Sequence, residues 1–219
     1  MQLIETLWGI EKRNDVTSVV VMKIETLLRK VGILLGVRVE KYYLFQIEID
    51  EDKLGDKPLA IGFDVVEITD KNIEKYDFSL FQRKVDRFKA RLSNPAFSLY
   101  AVVEGRLVCY YTWISYEFFI FPRYVNQVKK LQTDEAFLFD SACANEYKGR
   151  GFHTYMNVFR LRKIYENGRR KALVLVLSGN TPAINVQKKS GMKIIKLMRT
   201  FHCNFLNIDR VRFIDHEGK

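Results

Sequence analysis

Two glycines and two cations lie together in the run Asn145-Glu146-Tyr147-Lys148-Gly149-Arg150-Gly151-Phe152-His153. An alternating segment from Glu135 to Ala144 precedes it and reads as a strand, and a helical pattern from Phe152 to Asn167 follows, closed by Gly168. Glycine lets a backbone approach a ligand closely. The first turn of a helix offers unpaired N–H groups and the positive end of the helix dipole. Strand, glycine turn and helix together make a phosphate cradle. The spacing excludes the two commonest kinds. A P-loop needs Gly, four residues and then Gly-Lys-Ser/Thr, which is absent, and the dinucleotide fingerprint needs a third glycine where Thr154 stands. A plain turn before a surface helix would use the same glycines and bind nothing.

The stretch resembles the pyrophosphate loop of the GNAT superfamily of N-acyltransferases, Arg/Gln-x-x-Gly-x-Gly/Ala. Gly151 matches, and Glu146 to Gly151 is similar to the family's common Glu-Tyr-Arg-Gly-Lys-Gly, whereas Lys148 and His153 depart from the pattern. The family's closing motif, Asn-x-x-Ala-x-x-φ-Tyr-x-x-x-Gly-Phe, finds a counterpart at a normal distance downstream. Asn180, Ala183 and Gly191 fall in place; Gln187 stands where the family often has Tyr, and Met192 where it has Phe. Asn180 and Gly191 would also serve as ordinary helix caps.

The resemblance implies an α/β (α+β) GNAT fold: a mixed, mostly antiparallel sheet with a splayed central parallel pair, flanked by helices. It implies acetyl-CoA or another acyl-CoA as cofactor. The pyrophosphate would rest on the N–H groups of Gly149, Arg150, Gly151, Phe152 and His153, with Lys148 and Arg150 nearby, and Asn180 is a further cofactor-binding residue that the resemblance implies. The cradle strand would bulge and part from the next strand. The backbone of Cys143 and Asn145 would then pair with the pantetheine arm, and the Cys143 N–H would stabilise the oxyanion of the tetrahedral intermediate. Asp140, three residues before the expected bulge, matches a position where many family members carry an acid. It is the candidate base for the attacking amine, or a carboxylate that only holds a cationic substrate. Glu135 and Glu117 are weaker candidates. No histidine supports a covalent role for Cys143. With Gln187 unable to protonate the leaving thiolate, water, Tyr147 or Tyr155 would do so. A CoA thiol titrating near about 8.5, as free cysteine does, does not oblige a dedicated acid.

The elements that must position these residues follow from pattern. Residues 3–12 and 16–35 read as helices, the second with Val20, Ile24, Leu27, Leu28 and Val31 at helical spacing. Val37 to Ile49 and Ile61 to Ile68 read as strands, and Asn72 to Leu92 as one or two helices. Ala96 to Val103 and Arg106 to Ser115 form a hairpin over Glu104-Gly105. An aromatic segment follows (Phe118, Phe119, Ile120, Phe121, Pro122, Tyr124), fit either for core packing or for a pocket wall. The apolar run Ala172 to Leu177 suits a strand covered on both faces. Pro182 to Lys189 reads as a helix, with Asn180 or Thr181 as N-cap, and Met192 to Met198 and Thr200 to Leu206 as two last strands. An N-terminal extension over 1–60 packed on a GNAT domain over 61–219 is the expected organisation.

The chain has 219 residues, with 36 Lys and Arg against 26 Asp and Glu, a net charge of +10. That suits an anionic ligand, and no known nucleic-acid module stands out. From Lys148 to Lys171 there are eight Lys/Arg and one acid, some available to a 3′-phosphate and most expected on a solvated helix face. The three cysteines, Cys109, Cys143 and Cys203, show no metal-ligand spacing, so no metal is expected, and they read as reduced thiols of a cytoplasmic protein. No signal peptide or stable membrane insertion is expected, since the most apolar window carries Lys23, Glu25, Arg29 and Lys30. The expectation is an acyl-CoA-dependent N-acyltransferase, monomer or homodimer, acting by direct attack of a small-molecule amine, with an amino sugar among the candidate acceptors. The alternative is a catalytically weak or inactive GNAT-fold module that holds CoA. A nucleic-acid-binding role would rest on net charge alone, and no nucleic-acid partner is expected.

Overall fold

The computed structural model describes residues 36–50, 54–55, 58–203, 205–206 and 208–215. The helices expected over 3–12 and 16–35 lie outside this range. The chain divides into two compact units: Lys41–Arg199 with Arg212–Lys219, and Met1–Glu40 with Thr200–Val211.

The strands are β1 (Val37–Glu48), β2 (Asp64–Ile68), β3 (Phe97–Glu104), β4 (Leu107–Ser115), β5 (Phe118–Phe119), β6 (Lys129–Lys130), β7 (Glu135–Cys143), β8 (Lys171–Leu177), β9 (Lys193–Cys203) and β10 (Ile208–Asp215). The helices are α1 (Val85–Leu92), α2 (Phe152–Glu166) and α3 (Thr181–Lys189). Within the first unit the strands lie in the order β1-β8-β7-β4-β3-β2. All neighbours in that run are antiparallel except β7 and β8. The expected mixed sheet with one parallel pair is therefore present, because α2 is the single crossover that returns the chain to run parallel to the strand it left.

Two apolar clusters sandwich this sheet. One joins Phe45, Ala136, Leu138, Ala172 and Val176 to Phe152, Met156 and Ile164 of α2. The other joins Leu99, Ala101, Tyr111 and Trp113 to Phe88 of α1, whose ring lies 4.8 Å from Tyr111 and 5.5 Å from Trp113. A strand buried on both faces reads as an unbroken apolar run, which is why β8 was legible, whereas β4 was legible through its hairpin turn with β3.

Two elements differ from the pattern reading. Asn72 to Leu92 does break near Asp77, but the part before α1 is 3₁₀ and not α: two turns, Ile73–Lys75 and Ser79–Lys84, the second with a non-helical residue at Phe81. The two last strands expected over 192–206 are one strand, β9, and a further strand, β10, follows it. Lys193, Lys196 and Arg199 recur every third residue of β9, a spacing that does not follow the strand period of two, so the pattern alone does not show the strand running on through Arg199. The aromatic segment holds the short β5–β6 pair, and it does both things expected of it. Phe119 is buried 4.6 Å from Phe137, while Ile120, Phe121 and Pro122 line a cavity.

Candidate active site

The parallel pair is joined only at its start. Glu135 to Leu138 of β7 pair with Lys171 to Val174 of β8, and there the pairing stops. Each strand continues beside its outer neighbour: β7 reaches Cys143 opposite Tyr110 of β4, and β8 reaches Leu177 opposite Tyr42 of β1. The cause of the parting is visible in the register. Trp113 faces Phe139 and Tyr111 faces Ala142, so Asp140 and Ser141 share one position on β4. Such a bulge bends and twists its strand. Asp140 has φ 45°, the one non-glycine positive φ among the described residues. A residue in that region is strained unless its surroundings hold it; here the carboxylate does so.

A cavity of about 400 Å³ fills the gap. Phe137 to Ser141 of β7 and Val174 to Leu177 of β8 form its sides, α2 contributes His153 and Arg160, and α3 contributes Ala183 and Gln187, with Asn180 at its start. The cradle lies at the N-terminal end of the same helix. Gly149 and Gly151 have φ 84° and 80°, Gly151 is the N-cap of α2, and a Cβ on either glycine would meet nothing within 4 Å. The first intrahelical bond runs from the Tyr155 N–H to the Gly151 carbonyl, at 3.0 Å, so the N–H groups before it are free of the helix ladder. The Arg150 guanidinium lies over the rings of Phe63 and Tyr147, at 5.4 and 5.0 Å. A second, smaller cavity of about 280 Å³ adjoins the cradle, between Pro58 to Ala60 and Arg150, Gly151, Thr154 and Tyr155.

No protein-family model and no curated protein matches the chain. Solved structures do. A conserved protein of unknown function from Staphylococcus epidermidis is similar with TM-score 0.56 and 13% identity, over 90% of this chain and 69% of that one. A Drosophila protein is similar with TM-score 0.55 and 8% identity, over 81% of this chain and 56% of that one. A protein from Novosphingobium aromaticivorans, assigned to the GNAT family of acetyltransferases, gives TM-score 0.48 and 15% identity over 75% and 65%. The likeness is one of fold, and the chain spans between about half and two thirds of each of these proteins.

The residues expected at the site separate into groups. Gly149, Arg150, Gly151, Phe152 and His153 form the turn and first residues of α2, and Lys148 precedes them, exposed. The His153 side chain does not face the cradle. It lines the cavity, with Nδ1 2.9 Å from the Tyr110 hydroxyl. Burial, aided by the charge of Arg160, pushes its pKa down to about 4, so the imidazole is neutral at neutral pH. The Asn180 side chain caps α3 by accepting from the Ala183 N–H at 3.2 Å. The bulge falls at Asp140 and Ser141 and not at Cys143. Cys143 lies beyond it and does not line the cavity, and burial raises the pKa of its thiol. The Ala144 N–H donates to the Cys109 carbonyl at 2.9 Å. By the alternation of an antiparallel ladder, the backbone groups of Cys143 point to the other side, towards the gap.

Asp140 lines the cavity, but its carboxylate is committed elsewhere. Arg91 donates to it at 2.6 Å, Tyr111 donates its hydroxyl at 3.0 Å, and Arg87 and Lys84 stand at 3.5 and 3.7 Å. Burial alone would raise its pKa, but the hydrogen bond and charge of Arg91, joined by Lys84 and Arg87, outweigh burial and hold it below the usual carboxylate value. A carboxylate so held is a poor proton acceptor. The weaker candidates fare no better: Glu135 accepts from the Gln132 N–H at 3.0 Å, and neither it nor Glu117 lines the cavity. Tyr147 donates to Glu104 at 2.6 Å, which raises its pKa, and Tyr155 faces the smaller cavity, so neither lines the cavity in the strand gap.

Sequence reasoning missed the three cations around Asp140. Their spacing carries the signal, since Lys84, Arg87 and Arg91 recur along one face of the turn and helix. It also missed Arg160, which belongs to the stripe Phe152, Met156, Arg160, Ile164. These four recur every fourth residue and all are buried.

Proposed function

We propose that the chain is an acyl-CoA-dependent N-acyltransferase of the GNAT type, moving an acetyl or other short acyl group to a primary amine of a small molecule by direct attack. One observation carries this reading: a gap between two parallel strands, bordered by unpaired backbone, runs from a helix N-terminus preceded by two positive-φ glycines. Free N–H groups and the helix dipole suit a pyrophosphate. A gap with ladder groups on its walls suits an extended chain carrying amides, and pantetheine is one. In this reading Gly149 to His153 hold the pyrophosphate, Lys148 and Arg150 supply charge, and Cys143 and Asn145 pair with the pantetheine. The N–H groups of the bulge, which border the cavity, take over the oxyanion role that the sequence analysis assigned to Cys143.

The proton balance points to the kind of amine. Attack at the thioester carbon needs the free amine, and a proton must leave its nitrogen as the tetrahedral intermediate forms. The titratable groups lining the cavity are Tyr42, Asp140, His153 and Arg160. Asp140 is held in its ionised form and His153 is kept neutral, so neither is a strong base at neutral pH. Such a site favours an amine titrating near about 8, as an α-amino group does, over one near about 10.4, as a lysine does. Amino sugars and other amines with electron-withdrawing neighbours belong to the first class. The alternative of a CoA-holding module with little turnover draws on the same facts, a weakened Asp140 and Gln187 in place of Tyr.

Thermal-shift titration with CoA, acetyl-CoA, ATP and a short DNA duplex tests the cofactor. Stabilisation by the two CoA species alone is expected; no shift with either overturns the reading. Turnover with a panel of amines then separates enzyme from module.

A further inference from the structure

Arg160 is buried, 2% exposed, in the middle of α2. Its Nε–H donates to the Met156 carbonyl at 3.2 Å, its Nη1 to the hydroxyls of Thr112 and Ser141 at 2.8 and 3.0 Å, and its Nη2 to the Asn157 side-chain oxygen. All four acceptors are neutral. No carboxylate among the described residues pairs with it. A guanidinium stays charged in a protein even where burial lowers its pKa, as it does here. A buried charge is costly unless an opposite charge meets it. Asp140, the carboxylate among the cavity's lining residues, is already shared by three cations and is bonded to Arg91. A guanidinium has five N–H donors and four are used, which leaves one.

Arg160 also lines the cavity in the strand gap, and through Ser141 it is tied to the bulge. It lies seven residues beyond His153, two turns or roughly 10 Å along the same helix face. The cation therefore stands deep in the gap, away from the cradle. Thr112 and Ser141, whose hydroxyls lie 2.7 Å apart, hold the guanidinium in place without neutralising it.

We propose that this cavity takes a carboxylate, held by the Arg160 guanidinium. The proposal rests on the acyltransferase reading and narrows its substrates. The carboxylate arrives as the free end of a short dicarboxylic acyl thioester, such as malonyl-CoA or succinyl-CoA, or as the carboxylate of an amino-acid acceptor. In either case the step is the same: the amine nitrogen bonds the acyl carbon, the thioester C–S bond breaks, and the proton lost by the amine ends on the sulfur of CoA, which leaves as the thiol; with the first source the group transferred is the dicarboxylic half-acyl, with the second it is acetyl or another short acyl.

The experiment compares CoA, acetyl-CoA, malonyl-CoA and succinyl-CoA by titration calorimetry on the whole chain. It then compares turnover of each thioester with amino acids against the corresponding amines that lack the carboxylate. The acyl source predicts that a dicarboxylic thioester binds at least about tenfold more tightly than acetyl-CoA. The acceptor source predicts at least about a tenfold higher kcat/KM for the amino acid. Arg160→Met removes the preference and Arg160→Lys keeps part of it. If CoA species bind and amines turn over but neither preference appears in the wild-type protein, the carboxylate proposal is overturned while the acyltransferase reading stands; if CoA species bind without turnover, the acyltransferase reading fails, and the thioester affinities together with malonate and succinate thermal shifts decide the proposal. If no CoA species binds, the acyltransferase reading fails, and thermal shift with malonate and succinate decides the proposal. Stabilisation of the wild type but not of Arg160→Met supports a carboxylate site, and its absence overturns one.

Discussion

His153 gives the fold a pH dependence of its own. In the folded chain its pKa is about 4 against an ordinary 6.5, because the ring is buried against the Tyr110 hydroxyl and near the Arg160 charge. The unfolded chain takes up this proton as pH falls through the ordinary value, and the folded chain does so only near the lower one. Stability from this residue is therefore complete above the unfolded pKa and is lost as pH falls through the window between the two. Linkage puts the loss at about 2 kcal/mol between about pH 7.5 and about pH 5, and about 3 kcal/mol once both states are protonated. Urea unfolding followed by tryptophan fluorescence, in which buried Trp113 is a reporter, measures it at both pH values. His153→Gln keeps a hydrogen-bonding side chain without the titration, and the variant should lose about 2 kcal/mol less than the wild type over the same range. Asp140 does not confuse the comparison, since an unfolded carboxylate titrates near about 3.9 and the folded one lower still, both outside this range. Equal losses in the two proteins would refute the argument that burial holds this imidazole neutral.

Three other perturbations have defined outcomes. Gly151→Ala places a side chain at φ 80°, where nothing blocks the Cβ but the backbone conformation is disfavoured; a stability loss of about 1–2 kcal/mol in chemical denaturation and weaker CoA binding by calorimetry are expected. Asp140→Asn leaves Arg91, Arg87 and Lys84 without their shared carboxylate and should cost about 2 kcal/mol. The wild-type contribution is present above the unfolded carboxylate pKa and is lost as pH falls through the lower folded value. If turnover survives with CoA binding intact, Asp140 is a structural carboxylate; if turnover alone is lost, it takes part in the reaction. Phe119→Ala opens the cluster with Phe137 and Phe121, at 4.6 and 4.8 Å, and should lower stability by about 3–5 kcal/mol, read from the denaturation midpoint.

The cradle and the elements around it were legible because backbone chemistry writes itself into residue type. Gly149 and Gly151 stand where φ is positive, Asn180 caps α3, and the apolar run of β8 announces a strand covered on both faces. The exact place of the bulge was not legible. It depends on how β7 registers against β4, and a one-residue offset at Thr112 leaves no mark in either strand's pattern. The partners of Asp140 were not legible for a related reason: they come from a segment about fifty residues earlier, brought over by the packing of α1 on the opposite sheet face. Arg160 was hidden in plain composition. Among eight basic residues it counted as one more solvated charge, although its fourfold spacing from Met156 and Ile164 placed it on the buried stripe.

The parted strands also bear on how the chain stays out of trouble with its own kind. From Phe139 on β7 and Leu175 on β8, each strand has a neighbour on one side only, so the middle of the sheet contains two edges facing each other. Edges invite an incoming strand, from another molecule as readily as from a ligand. Here the invitation is screened. Ile120, Phe121 and Pro122 line the gap, as do Ala183 and Gln187 of α3. A slender molecule can thread between them, whereas a polypeptide with side chains on both faces meets those walls. Shortening the aromatic segment would leave those two edges more open, and the expected outcome is a larger oligomeric fraction in size-exclusion chromatography with the circular dichroism of the sheet unchanged.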